Sequence, residues 1–327
     1  MAGLRANARR MRVRRGRSSR SKRQARAFYA FISPWLIGFI LLGIAPLVMG
    51  FMASLTNYDG LNLPTVKFVG LRNYTWALTD PDMHYSFGRT MIWALLNLPI
   101  WLVVSFALAL ILNQDVRGRG FFRTLYYLPS IVPVVSAVWI WKMFLDKNFG
   151  LLNYILSIFR PGMALAWLST YALQGLTAIA IWGGLGSGMI VFLAGLQSIP
   201  GELVDAARVD GANSWQVFRC VTLPLMTPVI FMQLVLALIG AFQQFVIPLL
   251  LTTTTGSGST GLPPAPPRPV YLYMNHVYRQ IFGLQRFGKG AALLWLLCLL
   301  LVALTVVVFK TERYWVHSEM PFEERGQ

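Results

Sequence analysis

Long apolar runs alternate with short polar segments along this chain. Crossing the hydrocarbon layer of a membrane takes about 20 mainly apolar helical residues. Six stretches meet or approach that length: Phe28–Leu55, Met91–Asn113, Leu125–Trp141, Leu176–Leu196, Pro224–Leu251 and Ala291–Phe309. The first carries no charge, the third contains Pro129 and Pro133, the fourth is rich in glycine and the fifth carries glutamines. The pattern predicts an all-α integral membrane protein with six transmembrane helices. Its membrane domain spans 28–318, between a basic tail at 1–27 and a C-terminal tail at 319–327. Prolines at 129, 133, 224, 228 and 248 fall near span ends or in mid-span. Such breaks are tolerated where neighbouring helices or a cavity satisfy the freed backbone.

Composition agrees. The chain of 327 residues is 56% hydrophobic and 13% charged, against about 25% charged in a soluble domain. The net charge of +17 is unevenly spread: residues 1–27 hold eleven of the 29 Lys and Arg and no acid. Nucleic acid and anionic lipid both suit such a tail. No aromatic residue is interleaved before Phe28, so the lipid reading is preferred: a disordered cytoplasmic tail that fixes orientation, with no nucleic acid bound. The charged run is too long for a cleavable signal, and the first span is expected to stay as an anchor. Cys220 lies in a polar loop and Cys298 in a span, which favours neither a disulfide framework nor a zinc site.

With the basic tail inside, six spans put both termini in the cytoplasm. Segments 114–124, 197–223 and 310–327 then lie inside, and 56–90, 142–175 and 252–290 outside. Arg117, Arg119 and Arg123 in the first of these agree with the positive-inside rule. Beyond the tail, basic residues number eight inside and ten outside, so the tail carries the orientation. Residues 252–269 are rich in Thr, Gly and Ser and then in Pro, a composition that builds no packed core and predicts a flexible outer loop.

Span five places Gln233, Ala237, Gly240, Ala241, Gln244 and Pro248 at spacings of three and four, on one helix face. A stripe of small and amide residues suits a pore face or a tight helix seam, and buried amides need partners or water. Gln244 is read as facing a pore. In span four, Gly183, Gly184, Ser187, Gly188 and Gly195 suit a seam, with Gly184 and Gly188 in a Gly-xxx-Gly relation. No Gly-xxxx-Gly-Lys-Ser/Thr phosphate loop occurs. His84, His276 and His317 are isolated, and Asp80 and Asp82 flank Pro81 as in a turn. No cofactor, metal or enzymatic activity is expected. A secondary active carrier not coupled to an ATPase is the alternative. It would keep an ionisable residue in mid-membrane, and none lies well inside the six stretches.

The most informative polar segment separates spans four and five. It runs Asp205-Ala206-Ala207-Arg208-Val209-Asp210-Gly211, then nine residues, then Val221-Thr222-Leu223-Pro224. Pro200, Gly201 and Glu202 open it as the first turn of a short helix. Ala206 and Ala207 let a partner surface approach closely. Gly211 can end the helix and turn the chain. Trp215 and Phe218 add apolar anchors. Taken by itself, the segment is either an interfacial linker or a docking helix.

Its spacing resembles the EAA loop of binding-protein-dependent ABC importer permeases of type I: Glu-Ala-Ala, three residues, Gly, nine residues, Ile, one residue, Leu-Pro. Asp205 stands for the Glu and Val221 for the Ile. Other phrases resemble the carbohydrate-uptake group, the maltose and glycerol-3-phosphate type. They are Phe31–Phe39, Phe68–Tyr74, Gly118–Ser130, Phe149–Asn153, Trp182–Pro200 and Arg313–Val316, so the likeness runs from about residue 28 to 318. The Pro-rich stretch departs from it, since the family usually has a short Gly-Gly-Pro turn there.

The resemblance implies a coupling helix at 200–220, seated in a groove of an ATPase subunit. Its coupling residues would be Glu202, Asp205, Ala206, Ala207, Gly211, Leu223 and Pro224, with the Asp205 carboxylate facing a basic group. It implies a second homologous permease in a heterodimer, two ATP-binding ATPase subunits, an extracellular sugar-binding protein and a bacterial plasma membrane. The sugar path would run past Gly184, Ser187, Gln233, Ala237, Gly240, Ala241 and Gln244. Gly183 joins the positions aligned with sugar contacts of the maltose permease, and most of these are small here. Trp139, Trp141 and Trp182 could stack on sugar rings or mark the membrane interface; Trp141, beside Lys142, is read as interfacial. The expected function is ATP-driven import of a carbohydrate.

Overall fold

The computed structural model describes residues 22–61, 63–115, 117–162, 164–252, 266 and 268–316. Their helices are α1 (Lys22–Ser54), α2 (Arg72–Thr79), α3 (Pro81–Asn113), α4 (Arg119–Ile131), α5 (Val134–Phe144) and α6 (Leu151–Phe159). They continue as α7 (Ala172–Gln197), α8 (Gly201–Val209), α9 (Ser214–Phe242), α10 (Val246–Thr252), α11 (Tyr273–Tyr278) and α12 (Phe287–Trp315). Five are long and apolar enough to cross a membrane: α1, α3, α7, α9 and α12. The pair α4 and α5, bent where they meet, makes a sixth when it is counted as one span.

Prolines explain where spans depart from the apolar runs. The crossing expected over 125–141 is two helices meeting at 98°. Pro133 has no N–H to continue the ladder, and its ring crowds the carbonyl four residues back, at Pro129. The crossing expected over 224–251 is broken between Phe242 and Val246, because Pro248 does the same to the Gln244 carbonyl. Pro46 and Pro224 act more gently. Each follows a π turn, Ile40–Ile44 and Phe218–Thr222, in which Ala45 donates to the Ile40 carbonyl and Leu223 to that of Phe218. The lost bond is bypassed by one register step. The span expected from Met91 begins at Pro81, because the Asp80 carboxylate accepts the Met83 N–H at 3.1 Å and proline suits the first helical position. Residues 22–27 of the expected disordered tail are the first turns of α1, built of good helix formers. Residues 1–21, most of 252–269, His317 and the C-terminal tail lie outside the described residues.

Helix α7 is the centre post, and its glycines set the spacing. A Cβ at Gly184 would lie 2.8 Å from Trp101 Nε1, and one at Gly188 2.6 Å from Trp101 Cζ2, both on α3. One at Gly186 would lie 2.7 Å from Tyr127 Cα on α4, and one at Gly195 2.9 Å from Val229 Cγ2 on α9. Only hydrogen fits at these points, so α7 meets three neighbours at once. Two apolar cores result. Trp93, Leu176, Ile179, Phe242, Tyr273 and Leu293 belong to one. Ala109, Leu112, Met189, Phe192, Leu196 and Met226 form the other, towards α8. Helix α1 is outermost. It packs on α12, with Phe51 5.1 Å from Trp295, and buries none of its apolar stretch.

At the opposite end from α8, the segment from Arg268 to Gly283 is strapped across the start of α3. Tyr85 Oη donates to the Arg268 carbonyl at 3.0 Å, and the Arg89 guanidinium to that of Pro269 at 2.9 and 2.6 Å. The Tyr273 N–H donates to Thr90 Oγ1 at 2.8 Å. Asp82 pairs with Arg268 at 2.8 Å. The two aspartates flanking Pro81 thus serve as a helix cap and an ion-pair partner.

Because backbone atoms stand opposite Gly186, Gly186→Ala must push α4 off α7. Overpacking of this kind costs about 1–3 kcal/mol. We expect the purified protein's melting temperature to fall. Gly50→Ala, where a Cβ meets nothing within 4 Å, should leave it unchanged or slightly raised.

Candidate functional site

The loop between α7 and α9 carries α8 at its tip. Pro200 precedes the helix and its carbonyl accepts the Leu203 N–H at 3.2 Å. Glu202 lies in the first turn, near the positive helix end. No residue of α8 is buried. Asp205 and Ala206 are exposed, Ala207 half-buried, and Leu203 and Val209 present apolar surface to the outside. Asp205 lies 3.5 Å from Arg208 with both side chains well solvated, so the pair adds little stability. Both groups remain available to a partner.

The exit from α8 is tightly specified. Gly211 has φ +85°, where only glycine is comfortable. Its N–H donates to the Arg208 carbonyl and that of Ala212 to the Ala207 carbonyl, each at 3.0 Å, the paired bonds of a Schellman close. At once Asn213 caps α9. Its Oδ1 accepts the Gln216 N–H at 2.9 Å, and Gln216 Oε1 accepts the Asn213 N–H at 2.7 Å, a reciprocal capping box. Phe218 then packs on Phe106, 6.3 Å between centroids, and Phe106 on Phe192 at 5.3 Å. This links α8 to the core beneath it. Leu223 and Pro224 close the π turn, half-buried.

A second feature lies between α3, α7 and α9. A cavity of about 300 Å³ is lined by Trp93, Asn97 and Trp101, by Ala180 and Gly184, and by Leu236, Ala237, Gly240, Ala241 and Gln244. Of the expected path residues, Gly184, Ala237, Gly240, Ala241 and Gln244 meet here. Ser187 and Gln233 do not: the Ser187 hydroxyl donates to the Gly184 carbonyl at 3.0 Å on an exposed face, and Gln233 is buried elsewhere. Trp141 and Trp182 pack edge to face at 6.0 Å, and Lys142 sits 4.6 Å over Trp139; none of these tryptophans lines the cavity. Trp93, Asn97 and Trp101 were not singled out by sequence. They recur every fourth residue, and that spacing inside a continuous apolar run was the available signal.

The polar groups of the cavity share one character. Trp93 Nε1 and Asn97 Nδ2 are buried donors without an acceptor among the described residues. Gln244 Oε1 accepts the Phe245 N–H at 3.1 Å, which leaves the Gln244 amino group to donate. No charged side chain lines the cavity. Such a cavity fits a molecule that offers neutral oxygen acceptors and an apolar face. Among the described residues no group of three His, Cys, Asp or Glu could hold a metal ion.

The profile of a family described as "Binding-protein-dependent transport system inner membrane component" matches residues 102–314. The chain is 34% identical over 296 residues to the probable ABC transporter permease protein YesP of Bacillus subtilis (strain 168), covering 90% of this chain and 92% of that one. It is 32% identical over 294 residues to the trehalose/maltose transport system permease protein MalF of Thermococcus litoralis, covering 89% and 95%. Among solved structures, a chain of a bacterial alginate ABC transporter in complex with an alginate pentasaccharide-bound periplasmic protein matches with a TM-score of 0.77. The identity there is 21%, over 90% of this chain and 96% of that one, a likeness of fold. On the profile and these relatives together, the chain belongs to the binding-protein-dependent transport system inner membrane components.

Proposed function

We propose that this chain is a membrane subunit of an ATP-driven importer and passes a neutral carbohydrate through the cavity between α3, α7 and α9. The observation that carries the reading is α8. It stands clear of the bundle with no buried residue, yet both its ends are fixed to crossing helices. A helix exposing Leu203 and Val209 beside a solvated Asp205 has the surface of a docking element. Its partner would be an ATPase subunit, with Asp205 against a basic group there. The sequence holds no Gly-xxxx-Gly-Lys-Ser/Thr phosphate loop, and ATP hydrolysis is assigned to separate subunits. A second permease chain, a second ATPase and a solute-binding protein complete the assembly. The basic tail puts both termini and α8 in the cytoplasm.

Carbohydrate is supported by chemistry and by the relatives. Sugars present ether and hydroxyl oxygens to donors and a C–H face to aromatic rings. The cavity supplies Trp93 and Trp101 as rings and three amide or indole donors. The Thermococcus litoralis relative is named for trehalose and maltose. A phosphorylated or uronic substrate would call for Lys or Arg in the lining, and the lining has neither.

Two measurements bear on this. Gly211→Pro removes the N–H bonded to Arg208 and forbids the positive φ, and Asp205→Lys reverses the exposed charge. Each should cut substrate-stimulated ATPase activity of the reconstituted complex by about tenfold or more, an effect of roughly 1.4 kcal/mol, while membrane insertion stays normal. Wild-type stimulation in both variants would sink the docking role. For the path, Asn97→Ala and Gln244→Ala should each weaken uptake by roughly 2- to 10-fold, the worth of one hydrogen bond, and Gln233→Ala should not. Neutral oligosaccharides should compete for uptake. Competition by uronates alone would overturn the neutral assignment.

A further inference from the structure

Gln244 sits on a stretch that has little helix of its own to hold it. Pro248 interrupts the ladder, so Gln243–Phe245 bridges two helices as a break. Gln244 borders the cavity described above and also a larger groove of about 680 Å³ between α9 and α12, where Cys298, Val302 and Thr305 lie. It therefore stands at the partition between the two spaces. A residue at such a place must be held by something outside the break.

The support comes from α11, through one peptide unit. The Phe245 N–H donates to Gln244 Oε1 at 3.1 Å, and the Phe245 carbonyl accepts from Asn275 Nδ2, also at 3.1 Å. Asn275 is 1% exposed and lines neither space. It stands on a helix that is itself pinned on several sides. Tyr273 holds Thr90 of α3 through its N–H and the Leu293 carbonyl of α12 through its hydroxyl, each at 2.8 Å. Beside Asn275, His276 is equally buried: its Nδ1 lies 3.0 Å from the Tyr271 hydroxyl, and its Nε2 lies 3.1 Å from Asp80 Oδ2 in a contact too bent for a good hydrogen bond. Burial disfavours the charged imidazolium and lowers the His276 pKa, in keeping with a neutral ring that accepts from Tyr271 and faces Asp80 with its N–H. Thr90 precedes Trp93 by one turn on α3, so α11 shares a frame with the opposite wall of the cavity.

We propose that Asn275 is the positioning residue for Gln244: through the Phe245 carbonyl it holds the α9–α10 break so that the Gln244 amide closes the partition between the cavity and the groove. The role deepens the carbohydrate-path reading and rests on it for its purpose, though the mechanical link can be tested without any sugar. Other donors to the Phe245 carbonyl are local. Leu249 N–H reaches it at 3.2 Å from within α10, and that bond moves with the break. Asn275 alone among the described residues reaches it from another helix.

Native Cys298 reports on the groove. Cys298 is exposed and borders the groove, so its alkylation rate follows the access of water and reagent to that space. The full-length chain, carrying Cys220→Ser and assembled in lipid nanodiscs, is treated with N-ethylmaleimide. Asn275→Leu removes the donor, Gln244→Leu removes the partition, and a double variant closes the cycle. Each single variant should raise the Cys298 rate roughly threefold or more, and the double variant should match the larger single effect, the non-additivity of residues that act through one contact. Asn275→Asp, which turns an acceptor toward the carbonyl, covers the case in which the leucine variant does not fold. Additive effects, or an unchanged rate in both Asn275 variants, would overturn the proposal. If the cycle holds while the complete transporter takes up no neutral sugar, the positioning role stands and the carbohydrate reading fails.

Discussion

The close approach of α7 to its neighbours is the constraint on which the bundle depends. Lipid tails are as apolar as leucine, so helices in a membrane gain little from burying greasy surface against one another. Contact has to come from fit. Gly184 and Gly188 bring the α7 backbone to the Trp101 ring, Gly186 brings it to the Tyr126–Tyr127 backbone, and Gly195 brings it to Val229 and Met226. The cavity follows from the same geometry. Trp101 stands against Gly184, and the cavity beside it is bounded by the small residues of α9. The same glycine meets Trp101 in the seam and borders the cavity.

Prolines impose the second rule. In hydrocarbon a freed carbonyl must find a partner, cavity water or a register shift. Three solutions occur in this chain. Pro46 and Pro224 are absorbed by π turns, Pro133 by a bend of 98°, and Pro248 by a break at which a side chain from α11 holds the Phe245 carbonyl. Pro99 lies inside α3 without breaking it.

Much of this was legible in the sequence, and the remainder failed for identifiable reasons. The period of three and four in span five pointed to the face that lines the cavity, because small and amide residues are conspicuous in an apolar run. The positive φ of Gly211 follows from the glycine's place after a short helix. The facing wall was not legible. Trp93 and Trp101 look like ordinary aromatic residues of a span, and Asn97 is a single amide with no neighbour in sequence to mark it. Pro129 and Pro133 announced a disturbance in span three without its angle, since the bend depends on how α4 is held against α7. The link from Asp80 to His276 joins residues far apart in sequence, which no local pattern can reveal. His276 read alone is an isolated histidine; only folding gives it Tyr271 and Asp80.

The Schellman close and the capping box follow one another without an intervening residue, so the chain between α8 and α9 has no slack. Helix α9 runs 29 residues from Ser214, about 43 Å at 1.5 Å per residue. A rod of that length works as a lever whose short arm lies at the membrane surface. Tilting it by about 5° at Asn213 carries its far tip by roughly 4 Å, more than the diameter of a water molecule. The break that holds Gln244 begins at that tip. Motion too small to reshape α8 itself is thereby magnified at the break beside the cavity, and the stiffness of a two-residue joint sets the gain.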